Sequence, residues 1–186
     1  MGFRMLRTAA ALVTVLLLAG CVPREPVITP EPDPASTPVF ASDEEALAAA
    51  TEAYARYLEV SDQIAQDGGS RVDRISSHVT VDQGFKEIEN FGDLKDSGRI
   101  IQGPTKFDTL TLQQHLTAAD GTETVTVYLC LDVSSTLVLD VDGNDVTPVD
   151  RTNRLPLEVE FEVARSEPKE LLVSRSEPWS GTNFCV

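Results

Sequence analysis

The sequence predicts an α+β domain in which helices pack on one face of an antiparallel sheet. Two patterns carry this prediction. Residues 43–94 have apolar side chains at the three-to-four spacing of helices. After Arg99 the spacing changes to the two-residue alternation of strands. Residues 43–186 contain no internal repeat or second linker, and we expect them to form one domain.

The first predicted helix begins after Ser42 and ends before Gly68 and Gly69. Ser42 is a favourable N-cap, and Glu45 three positions later completes a capping box. The two glycines are typical of a helix end. One face of the helix is largely apolar and comprises Leu47, Ala50, Tyr54, Tyr57, Leu58, Ser61 and Ile64.

Two shorter helices are predicted over residues 72–79 and 80–94. We expect Gly92 and Gly98 to act as breakers of the second one. The apolar residues at helical spacing are Val72, Ile75 and Val79 in the first and Phe85, Ile88 and Phe91 in the second.

Five strands are predicted after the helices. The alternation in the second strand places Val125 to Val133 toward the core, so Cys130 and Asp132 should lie on the opposite face. In the fourth strand the glutamates of residues 158–162 should face solvent. The five strands cover residues 106–116, 124–133, 137–141, 157–163 and 170–176.

The acidic run at residues 140–145 has two interpretations. Asp and Asn around Gly143 favour a hairpin turn. The same residue types bind calcium, but an EF-hand loop needs Gly at its sixth position and Glu at its twelfth. Asp145 and Arg151 occupy those positions. The turn is therefore the preferred interpretation, and we predict no metal site and no cofactor.

The first twenty residues have the pattern of a secretory signal. Arg4 and Arg7 precede an apolar run over residues 8–19, and small residues follow it. The run is too short for a membrane-spanning helix, which needs about 20 apolar residues. Met5 is an alternative start that would leave only Arg7 in the positive region.

The residues Leu18-Ala19-Gly20-Cys21 resemble the lipobox of bacterial lipoproteins. That resemblance implies cleavage before Cys21 and a diacylglyceryl group on its thiol, on the outer face of the cytoplasmic membrane. The alternative is an ordinary signal with a chance cysteine. Two acyl chains are enough for stable anchoring. The membrane, through lipid on Cys21, is thus a predicted partner, beside an unidentified surface protein, wall component or small molecule.

A proline-rich tether and an acidic surface follow from the composition. Residues 21–42 contain six prolines and favour extended polyproline II, which spans up to roughly 60 Å at about 3.1 Å per residue. The formal charge is −15, and loss of Arg4 and Arg7 with the signal would leave −17. A surface this acidic repels nucleic acid and anionic lipids.

Cys130 and Cys185 remain as an even pair once Cys21 carries lipid. Outside the reducing cytosol such a pair usually forms a disulfide. A zinc site is the alternative, but the two cysteines and two histidines lack the spacing of zinc ligands.

Four C-terminal segments carry a wider resemblance. The chain is similar, from about Glu44 to its end, to uncharacterised lipoproteins of high-G+C Gram-positive bacteria. The resemblance implies an NTF2-like (cystatin-like) domain, with a curved antiparallel sheet wrapped around the long N-terminal helix. It brings no established activity. The matching segments are residues 130–134, 139–143, 150–157 and 177–185.

Three functions follow as hypotheses. The first is a non-catalytic surface module that binds a protein, a wall component or a small molecule. The second is a carrier that holds a small ligand inside the domain. The third is an isomerase or dehydratase, because enzymes of the NTF2-like fold use an Asp with a Tyr or His in a pocket. The residues for such a pocket are Tyr128, Asp132 and His115, with Trp179 expected to pack near the disulfide instead of stacking a ligand.

Overall fold

The computed structural model describes residues 38–164 and 169–185. The predicted signal, Cys21 and most of the tether lie outside these residues. The helical elements are α1 (Asp43–Gln66), a 3₁₀ helix (Val72–Ser77) and α2 (Val81–Asp96). The strands are β1 (Ile100–Gln102), β2 (Lys106–Thr117), β3 (Glu123–Asp132), β4 (Leu137–Leu139), β5 (Arg154–Val163) and β6 (Leu171–Pro178).

All strand pairs between these elements are antiparallel, which confirms the α+β prediction. The larger sheet has the order β2-β3-β5-β6, and β1 pairs with β4 in a second, two-stranded sheet. The sequence did not predict β1. Three residues are too few to show an alternation, and the strand depends on its partner Leu137–Leu139.

The ends of α1 have the predicted chemistry. Ser42 Oγ accepts a hydrogen bond from the amide of Glu45, and the Glu45 carboxylate accepts one from the amide of Ala41. Gly69 follows the helix with a positive φ, and a Cβ there would collide with the carbonyl of Phe91. Glycine thus ends α1 and lets α2 approach it closely.

The core lies between α1 and the inner face of the larger sheet. Alternation in β3 places Val125, Val127 and Leu129 there, and all three are fully buried, as predicted. Burial of large apolar side chains contributes about 1.5–3 kcal/mol each, so this layer dominates the stability of the domain. The buried partners of these residues include Ala46, Ala50, Tyr54, Val159, Phe161 and Val173.

The C-terminal tail covers part of the outer face of the sheet. The predicted disulfide joins Cys130 on β3 to Cys185, with the two Cα atoms 5.5 Å apart. The rings of Tyr128 and Trp179 pack with centroids 4.8 Å apart on the same face. Gly181 lies against that indole, and no larger residue fits there without a shift.

Two details differ from the sequence prediction. Gly92 lies inside α2 and does not break it, because the helix continues to Asp96 and ends before Gly98. The glutamate face of β5 is only partly open to solvent, since Arg175 of β6 pairs with Glu158 at 2.7 Å. At residues 140–145, the Asp140 carboxylate accepts hydrogen bonds from the amides of Asp142 and Asn144, which makes the run a turn.

Candidate functional site

Helix α2 has its apolar face toward solvent. Val81, Phe85 and Ile88 lie at positions i, i+4 and i+7, so they share one face. Their exposed fractions are 76%, 66% and 52%. A surface helix ordinarily turns such residues to the core. We call Val81, Phe85, Ile88 and Gly92, which shares their face, the α2 stripe.

The inner face of α2 is polar where it meets α1. Gln83 and Glu87 are buried, with exposed fractions of 3% and 5%. The Tyr57 hydroxyl donates to Glu87 Oε1 at 2.8 Å, and Gln83 Nε2 donates to the same oxygen at 2.8 Å. Buried polar groups need such partners to offset their desolvation. The bond from Tyr57 joins α1 to α2 and holds this face of α2 inward, whereas the bond from Gln83 lies within α2 and completes the pairing of the buried carboxylate.

Burial and the negative charge of Glu87 raise the pKa of Tyr57 well above its usual value. Tyr57 therefore remains a hydrogen-bond donor across the physiological pH range. Gln83 Oε1 has no hydrogen-bond partner among the described residues. The contact between α1 and α2 thus includes a buried polar group, and Phe91 is the residue of α2 that packs against the core. Val81, Phe85 and Ile88 remain exposed.

Acidic residues follow the α2 stripe along one side. Asp82, Glu89, Asp93 and Asp96 are all exposed, and on a helical projection they lie beside Phe85. None of their side chains pairs with a basic residue in the described part of the chain. We call these four residues the acidic ridge. Lys86, in the same helix, reaches Glu177 at 3.4 Å, and Lys95 lies on the other flank of the stripe.

A cavity of about 550 Å³ opens at the N-terminal end of the α2 stripe. Val81 and Asp82 form one wall, and the ends of β5 and β6 form the other. This cavity continues the apolar character of the stripe and adds a further carboxylate. Its remaining lining residues are Thr80, Glu162, Val163, Ala164 and Leu172.

The residues proposed for a catalytic pocket do not converge. Tyr128 and Asp132 lie on the outer face of β3, whereas His115 pairs in register with Val125 on the inner face. Val125 and Asp132 are seven residues apart, or about 23 Å along a strand. The register between β2 and β3 therefore keeps His115 apart from Asp132, and these residues do not form the single pocket that the third hypothesis requires.

Asp132 also lacks the chemistry of a shielded base. Hydrogen bonds from Ser134 and from Arg154 lower the pKa of Asp132. Arg154 Nη1 lies 3.2 Å from the Asp132 carboxylate, and Arg154 also pairs with Asp108 at 2.8 Å. A proton-abstracting carboxylate would need the opposite shift. Asp132 therefore closes an ion-paired network at the end of β3.

His115 takes part in a different cluster, at the start of the domain. Glu123 is fully buried and accepts hydrogen bonds from His115 Nε2 at 2.7 Å and from the amides of Val39 and Phe40 at 2.6 and 3.2 Å. His115 Nδ1 lies 3.1 Å from the carboxylate of Asp43. We call these three side chains the entry cluster, because they hold the chain where it enters the domain.

Electrostatics favour the charged forms in the entry cluster. Burial opposes protonation of His115, but hydrogen bonds to Glu123 and Asp43 outweigh it and raise the His115 pKa. Burial likewise opposes ionisation of Glu123, but bonds from His115 and the two amides outweigh it and lower the Glu123 pKa. Glu123 was not among the residues predicted for a site. The signal in the sequence was its position two residues before Val125, which places it on the core face of β3, where a Glu requires a partner.

A second, smaller cavity of about 330 Å³ lies between α1, α2 and the two-stranded sheet. Its walls are mainly apolar, with Leu58, Phe91 and Leu131 among them. Arg151 contributes to the wall, and its guanidinium donates to the carbonyls of Val133 and Thr136 at 2.9 and 3.0 Å. The cavity thus has mainly apolar walls, with Arg151 and Asp62 as its charged lining residues.

No family model matches this chain, and no curated protein is similar to it. Several solved structures share its fold, and two of them are described below. The intermembrane space region of the chloroplast protein ARC6 superimposes with a TM-score of 0.52 at 10% identity, over 73% of this chain and 97% of that one. A periplasmic fragment of TraM gives a TM-score of 0.50 at 10% identity, over 75% and 98%. At this identity the likeness shows the fold alone.

Residues 38–164 and 169–185 contain neither a candidate membrane span nor a candidate metal site. No helix there is long and apolar enough to cross a bilayer. No group of three His, Cys, Asp or Glu side chains there has the arrangement of a metal site.

Proposed function

We propose that this protein is a lipid-anchored extracellular binding module without catalytic activity, and that it docks a protein partner on the α2 stripe. The outward position of Val81, Phe85 and Ile88 is the observation that carries the proposal. Contiguous exposed apolar side chains mark interaction sites. The hydrogen bond from Tyr57 of α1 to Glu87 holds the helix in this orientation.

The membrane part of the proposal rests on the sequence. A signal over residues 1–20, lipid on Cys21 and a proline-rich tether would place the domain on the outer face of the cytoplasmic membrane. The entry cluster is compatible with this arrangement, because Glu123 holds the backbone of Val39 and Phe40, near the end of the proposed tether. We also propose that the domain has an NTF2-like fold, with the sheet wrapped around α1.

A photo-reactive amino acid at Phe85 tests the docking proposal. The full-length protein is expressed in its native cells and irradiated, and adducts are separated by mass. The matched control carries the same amino acid at Glu52, an α1 position with 78% side-chain exposure. We expect adducts with another protein from Phe85 and few from Glu52. Equal yields from the two positions would rule out α2 as the docking face.

A small-ligand carrier is the second candidate function, and the 330 Å³ cavity favours it. Pockets of about 300–1,000 Å³ with mostly apolar walls are typical of ligand sites. Ala65 lines this cavity, so Ala65→Phe would fill it, whereas Ala48→Phe alters an exposed position of α1. An apolar fluorescent dye should bind the wild-type protein and the Ala48 variant but not the Ala65 variant. Equal binding of the dye to all three proteins would show that the cavity is not the ligand site.

A further inference from the structure

We infer that the partner on the α2 stripe is a basic amphipathic helix, with apolar residues on the stripe and Lys or Arg side chains against the acidic ridge. This inference rests on the proposed function, since it requires the stripe to be a docking surface. It adds the chemistry of the partner.

The shape of the stripe favours a helix. Val81, Phe85, Ile88 and Gly92 form one row along α2, about 17 Å long at 1.5 Å per residue. Such rows pack against the grooves of a second helix. A partner helix of about three turns would cover the row.

Gly92 is a second and independent sign of close approach. Glycine inside a helix costs about 1 kcal/mol relative to alanine. No neighbouring group excludes a side chain at this position, because a Cβ at Gly92 would have no atom within 4 Å. Its φ is not positive, so the backbone does not require glycine either. The bare backbone at Gly92 is therefore available to a partner that packs closely on α2.

The acidic ridge determines the charge of the partner. Asp82, Glu89, Asp93 and Asp96 lie beside the stripe and lack basic partners in the described chain, and Glu162 lines the adjoining cavity. Complementary charges at an interface rim raise the association rate and select the partner. Lys or Arg residues on one flank of the partner helix would meet this ridge.

The same charges disfavour the other occupants of an apolar face. A second copy of this chain packed antiparallel on α2 would place acidic ridge near acidic ridge, and any self-association brings together two molecules of formal charge −15. Anionic lipid headgroups would be repelled in the same way. A polypeptide with basic residues would instead be attracted to the acidic ridge.

The test extends the Phe85 photo-crosslink by sequencing the captured peptide. Three charge reversals on the ridge, Asp82→Lys, Glu89→Lys and Asp93→Lys, are combined in one variant. The control variant reverses three exposed acids elsewhere, Glu59, Asp142 and Asp150, and has the same net charge. A third variant, Gly92→Gln, places a side chain in the open space of the stripe.

We expect a captured peptide rich in Lys or Arg, with apolar residues at helical spacing. The ridge variant should reduce capture about tenfold or more, whereas the control variant should retain it. Gly92→Gln should reduce capture while the domain keeps its circular dichroism spectrum. Capture should also fall when salt is raised to about 1 M, where the Debye length is about 3 Å.

Three results would overturn the inference and leave the docking proposal in place. These are capture of a peptide without basic residues, capture of a second copy of this chain, and capture that the ridge reversals do not reduce. Capture of lipid alone, or no more capture from Phe85 than from Glu52, would instead overturn the proposed function itself.

Discussion

His115 Nε2 and Glu123 Oε1 lie 2.7 Å apart, beneath the point where the chain enters the domain. The same carboxylate accepts the amides of Val39 and Phe40, which are more than 80 positions away in sequence. Through Asp43 the histidine also reaches the first turn of α1. One buried carboxylate thus joins the end of the proposed tether, the sheet and the first helix.

Replacing Glu123 by Gln should destabilise the domain by about 1–3 kcal/mol. The amide retains one acceptor oxygen, but its NH₂ group would face donors in a fully buried site. Urea unfolding of the two proteins measures the difference. Glu59→Gln, at an exposed position, is the control and should change stability by less than about 0.5 kcal/mol. If the Glu123 variant were as stable as this control, the entry cluster would make no net contribution to the free energy of unfolding.

The entry cluster should make stability depend on pH in two directions. Because the pKa of His115 is raised in the folded state, its contribution is complete below the unfolded value of about 6.5 and is lost as pH rises through the folded value. Because the pKa of Glu123 is lowered, its contribution is complete above the unfolded value of about 4.3 and is lost as pH falls through the folded value.

The contribution of the cluster should therefore be largest between about pH 4.5 and 6.5. Unfolding free energies measured from pH 4 to 9 for the wild type and for His115→Asn test this. The variant should lose the decline that the histidine causes above about pH 6.5. Parallel curves for the two proteins over that range would contradict the assignment.

Gly92→Ala should stabilise the free domain by about 1 kcal/mol, because alanine is the better helix former and the space around Gly92 is open. Thermal unfolding measures the gain. Gly69→Ala is the contrasting variant and should destabilise the domain, since Gly69 has a positive φ and lies against the Phe91 carbonyl. A loss of stability in the Gly92 variant would mean that the helix face there is not open.

Reduction of the Cys130–Cys185 disulfide should cost about 4 kcal/mol for a closed loop of this length, with a sequence separation of 55. The double variant Cys130→Ser, Cys185→Ser should show the same loss in urea unfolding.

Mass analysis without reductant should find the native domain two hydrogens lighter than the thiol form. The fluorescence of Trp179 should change on reduction, because its ring packs on Tyr128 beside the bridge. Free thiols in the exported protein would contradict the pairing.

Cys21→Ser should abolish lipid attachment and, with it, stable membrane association. Two acyl chains anchor a protein durably, whereas the acidic domain gains nothing from anionic headgroups. Fractionation of cells that express either form, followed by intact mass, measures both effects. A wild-type mass without an added lipid group on the membrane-bound protein would rule out the lipoprotein assignment.

Much of the domain follows from local chemistry. Ser42, Glu45 and the glycine pair determine the ends of α1, because caps and helix stops depend on neighbouring residues. The alternation around Val127 determines which side of β3 is buried, because side chains in a strand change face at every residue. The disulfide was predicted from expected export and from the two cysteines that remain if Cys21 carries lipid, and the structure contains it.

Tertiary structure alone decided the candidate site. Helical spacing shows that Phe85 and Ile88 share a face, but it does not say whether that face points inward. The hydrogen bond from Tyr57 to Glu87 and the packing of Phe91 on the core hold the other side of α2 inward, which leaves Phe85 and Ile88 exposed. Tyr57 is 30 positions away from the buried carboxylate that it satisfies. Likewise, the register between β2 and β3 separates His115 from Asp132. It brings His115 within hydrogen-bond distance of Glu123. Local propensity determined the elements, and contacts between residues distant in sequence determined which surfaces remained open.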